Sequence, residues 1–381
     1  MEVVFLGTSA GAPTMARNMQ SLAVRVGRSF VVVDAGEGTQ HQIMKHNASR
    51  KDTRIRHVST VLVTHLHGDH AFGLPGLLCA LDAADQGGSS ENKAEKKNKP
   101  IKVVGPRGLR AFLRVALGLS RTELPNRGYV VVELRGGPDD PEDDDPSAVV
   151  AKSTEPQDVE LSSEEAWVGL GDEEVEISAA PLDHAGMPCV AYALAEKAKL
   201  GKIDAAAVRA AAVRGNDDPK RLFAALRGLV DAGETELGLR DGSSFPVREA
   251  FVGGQVRTSG RKVVVFGDCR PSRQEAAKKL ARGADLVVHE ATLETALADV
   301  AFDRGHSTPA DAGRLANAVE AQTLVLWHVS PRYTHDDTEK MDAWARAYVA
   351  EASAQFTEGT VLLANDFDHV TVPPPRPPRS G

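Results

Sequence analysis

Short apolar runs alternate with amphipathic stretches along most of the chain. Residues 2–6, 21–26 and 30–33 are rich in Val, Phe and Leu and are separated by Gly, Pro and Asn, which predicts three strands. Residues 36–46 are helix-compatible, 60–63 and 101–104 predict further strands, and 108–119 carry apolar residues at helical spacing. Later runs at 175–179, 263–266, 286–288 and 323–327 predict short buried strands, with helices at 272–282, 309–319 and 337–352. Strands alternating with helices predict an α/β fold with helices packed outside sheets.

Four stretches interrupt this rhythm. Residues 84–100 hold almost nothing apolar and predict an insertion. Residues 138–174 carry 14 acidic residues against one basic residue, Lys152, and predict a second, solvated insertion. Residues 197–261 are rich in Ala, Arg, Asp and Gly, with helical segments at 204–212 and 219–230 and turns at 232–244. They predict a protruding subdomain. Residues 373–381 form a Pro-rich tail, so the main domain is expected over 1–372.

Composition changes this picture little. The 381 residues are 42% hydrophobic, enough for a large core, and no run of 18 apolar residues predicts a membrane span. The three cysteines form neither a disulfide framework nor a CxxC zinc pattern. No export or organelle signal is read at the start, so a cytoplasmic or nuclear protein is expected. The net charge of −8 argues against nucleic acid only at first sight. The acidic stretch contributes −13, and the rest of the chain is +5 by difference. RNA binding therefore stays open.

The densest chemistry is Thr64-His65-Leu66-His67-Gly68-Asp69-His70, directly after a predicted strand. Residues two apart in an extended segment face the same way, so His65 and His67 can present two imidazoles to one metal. Asp69 and His70, in the turn after Gly68, can ligate a second ion. Zinc accepts this mixture of nitrogen and carboxylate oxygen, and manganese or iron can also occupy His/Asp sites. A dinuclear site needs further donors at other strand ends. His184, Asp268 and His328 each follow an apolar strand, where loops converge in α/β folds.

Several separated motifs together resemble the ribonuclease Z family of metallo-β-lactamase-fold nucleases. They begin with Phe5-Leu6-Gly7-Thr8, running on to Pro13-Thr14, then Asp34-Ala35-Gly36-Glu37-Gly38-Thr39-Gln40 and the His65–His70 run. Gly73-Leu74-Pro75-Gly76, Gly105-Pro106, the His184 loop and Phe266-Gly267-Asp268 follow. His289-Glu290-Ala291-Thr292, Gly305-His306-Ser307-Thr308-Pro309 and Trp327-His328-Val329-Ser330-Pro331-Arg332-Tyr333 complete the set. The sequence departs from the family pattern at Met15, where a basic residue is usual, and at Gly215-Asn216-Asp217-Asp218-Pro219, where a Gly-Pro-rich arm motif is usual.

The resemblance implies a four-layer αββα sandwich with a tRNA-gripping arm at 197–261. It implies two zinc ions, one held by His65, His67 and His184 and the other by Asp69, His70 and His328, with Asp268 bridging. Asp69 would also accept the proton of the attacking water, and His289, steered by Glu290, would protonate the leaving oxygen. His306, Ser307 and Thr308 would shape the substrate pocket, and Glu37 would support the ligands. The implied activity is removal of the 3′ trailer from precursor tRNA, leaving a 3′-hydroxyl, by a homodimer. The alternatives are another hydrolase of the same fold, acting on a different phosphodiester or small ester, and a non-catalytic relative.

Overall fold

The computed structural model describes residues 1–27, 29–50, 55–84, 99–140, 158–162, 165–334 and 337–375. The expected insertion at 84–100 thus falls almost wholly outside the described residues, as do 141–157 of the acidic stretch and 376–381 of the tail. The chain divides into two compact units, Met1–Ala195 with Arg261–Gly381, and Glu196–Gly260.

The larger unit is built on two sheets. Among the described residues one has eight strands, in the order His369–Thr371, Glu2–Gly7, Ser21–Val26, Ser29–Val33, Val58–Leu62, Ile101–Pro106, Tyr129–Arg135 and Val159–Glu160. The other has six, in the order Thr360–Leu363, Thr323–Trp327, Leu286–Glu290, Lys262–Phe266, Met187–Glu196 and Val175–His184. Alternation along each strand sorts the side chains. Val3, Phe5, Leu22 and Val24 from the first sheet and Val263, Val265, Val288 and Val325 from the second share one core. Their neighbours Val4, Leu6, Ala23 and Val32 pack against the helix residues Leu74, Leu77, Leu109 and Leu113. Val264, Val287, Leu324 and Leu326 pack against Ala312, Leu315 and Tyr348. The layers are therefore helix, sheet, sheet, helix: the metallo-β-lactamase fold. Strands buried on both faces read as near-continuous apolar runs.

The acidic stretch is not wholly an insertion. Asp158 pairs with Arg110 and Arg135, Val159–Glu160 adds a strand to the first sheet, and Trp167 and Leu170 are buried in the core. Burying an indole outweighs the charge of its exposed neighbours, so the sequence-level boundary at 174 is set too late.

The smaller unit has its own apolar centre. Helices Ala205–Arg214 and Pro219–Asp231, N-capped by Asp204 and Asp218, close over Val208, Leu222, Leu226, Phe245 and Phe251. Residues 232–244, expected as turns, include the strand Glu236–Gly238, which pairs with Ser244–Pro246.

Candidate metal centre

The His65–His70 run leaves the strand Val58–Leu62 and enters the short helix Gly68–Ala71. It is cradled by the loop after Ser29–Val33, where the Ala35 N–H donates to the His70 carbonyl at 2.7 Å. The chains approach so closely that a Cβ on Gly36 would sit 2.2 Å from the Asp69 carbonyl, and one on Gly73 2.0 Å from the Gly36 carbonyl. Glycine is required at both. His184 ends its strand, Asp268 follows Lys262–Phe266, and His328 follows Thr323–Trp327 with φ of 59°. A non-glycine residue in the left-handed region is held there by its surroundings, as is common at functional sites.

These residues aim their donor atoms at one another. His67 Nδ1 lies 3.1 Å from His65 Nε2 and 3.2 Å from His184 Nε2. His70 Nε2 lies 3.2 Å from His328 Nε2, and Asp69 Oδ2 is 3.5 and 3.4 Å from the same two atoms. Asp268 Oδ2 stands between the groups, 3.7 Å from His65, 3.5 Å from His70, 4.0 Å from His184 and 3.3 Å from His328. His306 Nδ1 is 3.8 Å away on a fifth side.

The donor set fits metal ions. His65, His67, His184 and Asp268 form one group that could hold an ion, and Asp69, His70 and His328 another. An ion bonded tetrahedrally to nitrogen at about 2.0–2.1 Å sets its ligands roughly 3.3 Å apart, close to the separations seen. Hydrogen bonding at His184 and burial at His65 point the same way. The His184 Nδ1–H donates to the Gly305 carbonyl at 2.8 Å, so its Nε2 turns a bare lone pair toward His67. Lone pairs aimed at one another suit a metal ion between them. Burial, with His70 beside it, drives His65 well below its usual pKa, toward the neutral form a metal requires. Burial works against charge on Asp268 as well, but His328, His70 and His65 overrule it and keep the carboxylate ionised.

Two carboxylates outside the donor set orient it. Asp34, fully buried, accepts from His70 Nδ1 at 2.7 Å and from the Thr64 hydroxyl at 2.9 Å, and that hydroxyl lies 3.1 Å from His65 Nδ1. Glu290 is its counterpart. It accepts from His306 Nδ1 at 3.1 Å and from the Thr292 hydroxyl at 2.7 Å, which in turn lies 2.7 Å from His328 Nδ1. Each carboxylate thereby fixes the tautomer of two imidazoles. Replacing Asp34 by alanine is expected to weaken metal binding about 10–100-fold, measured by competition with a chromogenic chelator.

The structure corrects several sequence expectations. His289 does not reach the centre: it is fully buried, packs 4.8 Å from the Phe266 ring, and has its Nε2 3.7 Å from Cys269 Sγ. Alternation along Leu286–Glu290 puts it on the helix-covered face with Val287. The Glu290 carboxylate holds His306, while His289 Nδ1 donates only to the Glu290 backbone carbonyl, at 2.7 Å. Ser307 and Thr308 do not line the pocket. The Ser307 hydroxyl donates to the Cys269 carbonyl, and Thr308 caps helix Pro309–Ala318 in a capping box with Asp311. Glu37 is exposed, and Asp34 does the supporting. Asp34, Thr64 and Thr292 escaped notice as functional residues. The available signal was a polar residue at or just beyond a strand end, one place removed from a donor.

An open cavity of about 210 Å³ lies over the centre. His67, Asp69, Asp268, His306 and His328 form its floor, and Gly11, Arg304 and Arg332 are among its other walls. The Gly11 N–H donates to Asp69 Oδ2 at 2.7 Å. Burial opposes charge on Asp69, but His328 and His70 hold its carboxyl well below the usual range.

Comparison with known proteins agrees with the geometry. Residues 19–166 match the metallo-beta-lactamase superfamily, and 234–329 match a beta-lactamase superfamily domain. A protein named ribonuclease Z from Synechococcus sp. (strain WH7803) is 35% identical over 383 residues, covering 99% of this chain and 98% of the relative. Zinc phosphodiesterase ELAC protein 1 of Bos taurus is 33% identical, covering 98% and 99%. The crystal structure of human tRNase Z, short form, aligns with a TM-score of 0.63 and 28% identity, covering 98% of this chain and 100% of that one.

Proposed function

The chain belongs to the ribonuclease Z family of the metallo-beta-lactamase superfamily and is a metal-dependent hydrolase of phosphodiester bonds, and from that premise we propose that it removes the 3′ trailer from precursor tRNA, leaving a 3′-hydroxyl on the tRNA. The observation that carries this reading is the placing of one carboxylate oxygen, Asp268 Oδ2, among five histidines, with the Glu290–His306 pair beside it.

In this reading His65, His67 and His184 would hold one zinc ion, Asp69, His70 and His328 would hold a second, and Asp268 would contribute to both. When bound, the ions acidify the attacking water and neutralise charge on the phosphodiester. The rest is done by side chains. Asp69, kept ionised by His328 and His70 and positioned by the Gly11 N–H, accepts the proton of the water that attacks phosphorus. The bond from phosphorus to the tRNA 3′ oxygen breaks, and the phosphate stays on the trailer. His306 donates a proton to the departing oxygen. Its Nδ1 is held by Glu290, so Nε2 is the ring nitrogen without a partner among the described residues. Burial disfavours its charge, but Glu290 overrules burial and lifts its pKa to about 9, so it is protonated at neutral pH. Arg304 and Arg332 line the same cavity and are exposed, which suits phosphates flanking the cut. The unit Glu196–Gly260 is proposed to contact the tRNA away from the cut, in a homodimer.

The test is incubation of a precursor tRNA bearing a 3′ trailer with the full chain, mapping the cut and both new ends. Cleavage is expected at the 3′ side of the tRNA, lost with a chelator and restored by zinc. Intact precursor alongside rapid hydrolysis of a small chromogenic phosphodiester would reject the tRNA reading.

A further inference from the structure

Asp183 stands next to His184 at the end of Val175–His184, and its side chain is 1% exposed. Among the described residues every donor reaching its carboxylate comes from one loop, the one that begins directly after Asp268. Arg270 Nε donates to Oδ2 at 2.9 Å, Arg273 Nε at 3.2 Å, and the Ser272 hydroxyl donates to the same oxygen. Arg273 Nη2 lies 3.1 Å from Oδ1, and the Arg270 N–H donates to the Asp183 carbonyl at 2.9 Å. Arg273 adopts a φ of 48° here. Beyond Asp183, Arg273 also lies 3.8 Å from Asp139.

This joins strands that the sheet does not join. Met187–Glu196 lies between Val175–His184 and Lys262–Phe266, so no backbone ladder links the ends that carry His184 and Asp268. The cluster also reaches the helix Ala298–Asp303, which leads into a third loop. The Arg270 guanidinium stacks over Phe302 at 4.9 Å, three residues before Gly305, whose carbonyl fixes the His184 tautomer. Gly305 has φ of 81°, and a Cβ there would stand 2.8 Å from His184 Nδ1. His306 is the next residue.

We propose that Asp183 is a positioning residue that, through Arg270, locks the loops of His184, Asp268 and His306 into one frame, so that metal ligands and proton donor are held in register. Neither Asp183 nor Arg270 lines the cavity over the centre, so the effect passes through the loops and not through substrate. A surface ion pair contributes little, but a buried carboxylate with several charged donors loses much when one partner is removed.

The experiment uses the full chain with Asp183→Asn, Arg270→Lys and the double variant. Five quantities are read: metal affinity by chelator competition, the visible spectrum of the cobalt-substituted protein, kcat and KM on precursor tRNA, and melting of the metal-free protein. Expected are metal affinity and kcat each lower by about 10–100-fold, shifted cobalt bands, and KM within about twofold of wild type. The double variant should be no worse than the worse single one, because the two residues act as a unit. Unchanged metal affinity and cobalt spectrum, whatever the melting temperature, overturn the proposal. A raised KM with unchanged kcat also overturns it, since it marks a substrate contact. If Asp183→Asn does not fold, Arg270→Lys carries the test, because it keeps the charge and removes the Nε donor. The kinetic arm rests on the tRNA reading. The metal and cobalt arms need no RNA, so an inactive wild type would reject that reading and leave this test intact.

Discussion

Asp268→Ala is expected to lower kcat on precursor tRNA by on the order of 10³-fold or more, about 4 kcal/mol of barrier, and to reduce the zinc retained after gel filtration. The size follows from the position of one atom. Oδ2 lies within 3.3–4.0 Å of nitrogens from His65, His70, His184 and His328. Losing His65 or His328 would open one group, whereas losing this oxygen opens both. Asp268→Asn should be nearly as damaging, since an amide keeps the shape but loses the negative charge that would balance bound cations. Circular dichroism should remain native for both, because Asp268 contributes nothing to the apolar clusters. Wild-type turnover together with wild-type zinc content in Asp268→Ala would exclude a shared bridging carboxylate.

The donors were legible because their type and place are both unusual. His65, His67, Asp69 and His70 crowd into six positions beyond an apolar strand, and His184, Asp268 and His328 each stand at or beyond the end of another. Both sheets are buried on both faces, so most of their strands appear as solid apolar runs. Met187–Glu196 does not read as a strand, because Pro, Cys and three alanines carry little β-propensity. Its pairing with Lys262–Phe266, a tertiary effect, decides its state. Strand 175–179 was read too short for a related reason: Pro181 suggests a stop, yet it is accommodated within Val175–His184. Tyr129–Arg135 was missed although its Tyr-Val-Val-Val run carries the ordinary strand pattern.

The orienting groups were harder to see. Asp34 is not among the residues lining the cavity and lies thirty residues before its partner Thr64, so only the fold brings the two together. The Glu290 carboxylate stands out in the sequence, but its partner does not. The adjacent histidine in sequence, His289, points to the opposite face of the strand, while the histidine sixteen residues later closes on the carboxylate. Period-two alternation could have separated them: Val287 and His289 share the helix side, and Val288 and Glu290 the sheet-facing side.

That distinction gives the second large effect. His306→Ala is expected to lower kcat about 10²–10⁴-fold, the usual contribution of a general acid, with zinc content and melting temperature close to wild type. His289→Ala should do the reverse. Removing a fully buried ring that packs on Phe266 leaves a cavity, costing about 2–4 kcal/mol of stability, while kcat on the folded fraction stays within a few-fold of wild type. The pH profile adds an independent check. Glu290 raises the His306 pKa to about 9, so the donor is charged below that value and loses its proton as pH rises through it. Cations bound at the centre would repel an imidazolium and pull the value down, so the alkaline limb of kcat should fall at or below about 9 and be absent in His306→Ala. Glu290→Gln removes the charge that holds the proton and should move that limb to lower pH. Should His289→Ala abolish turnover in a folded, zinc-loaded protein while His306→Ala retains it, the leaving-group proton comes by another route and the role assigned to the Glu290–His306 pair is wrong.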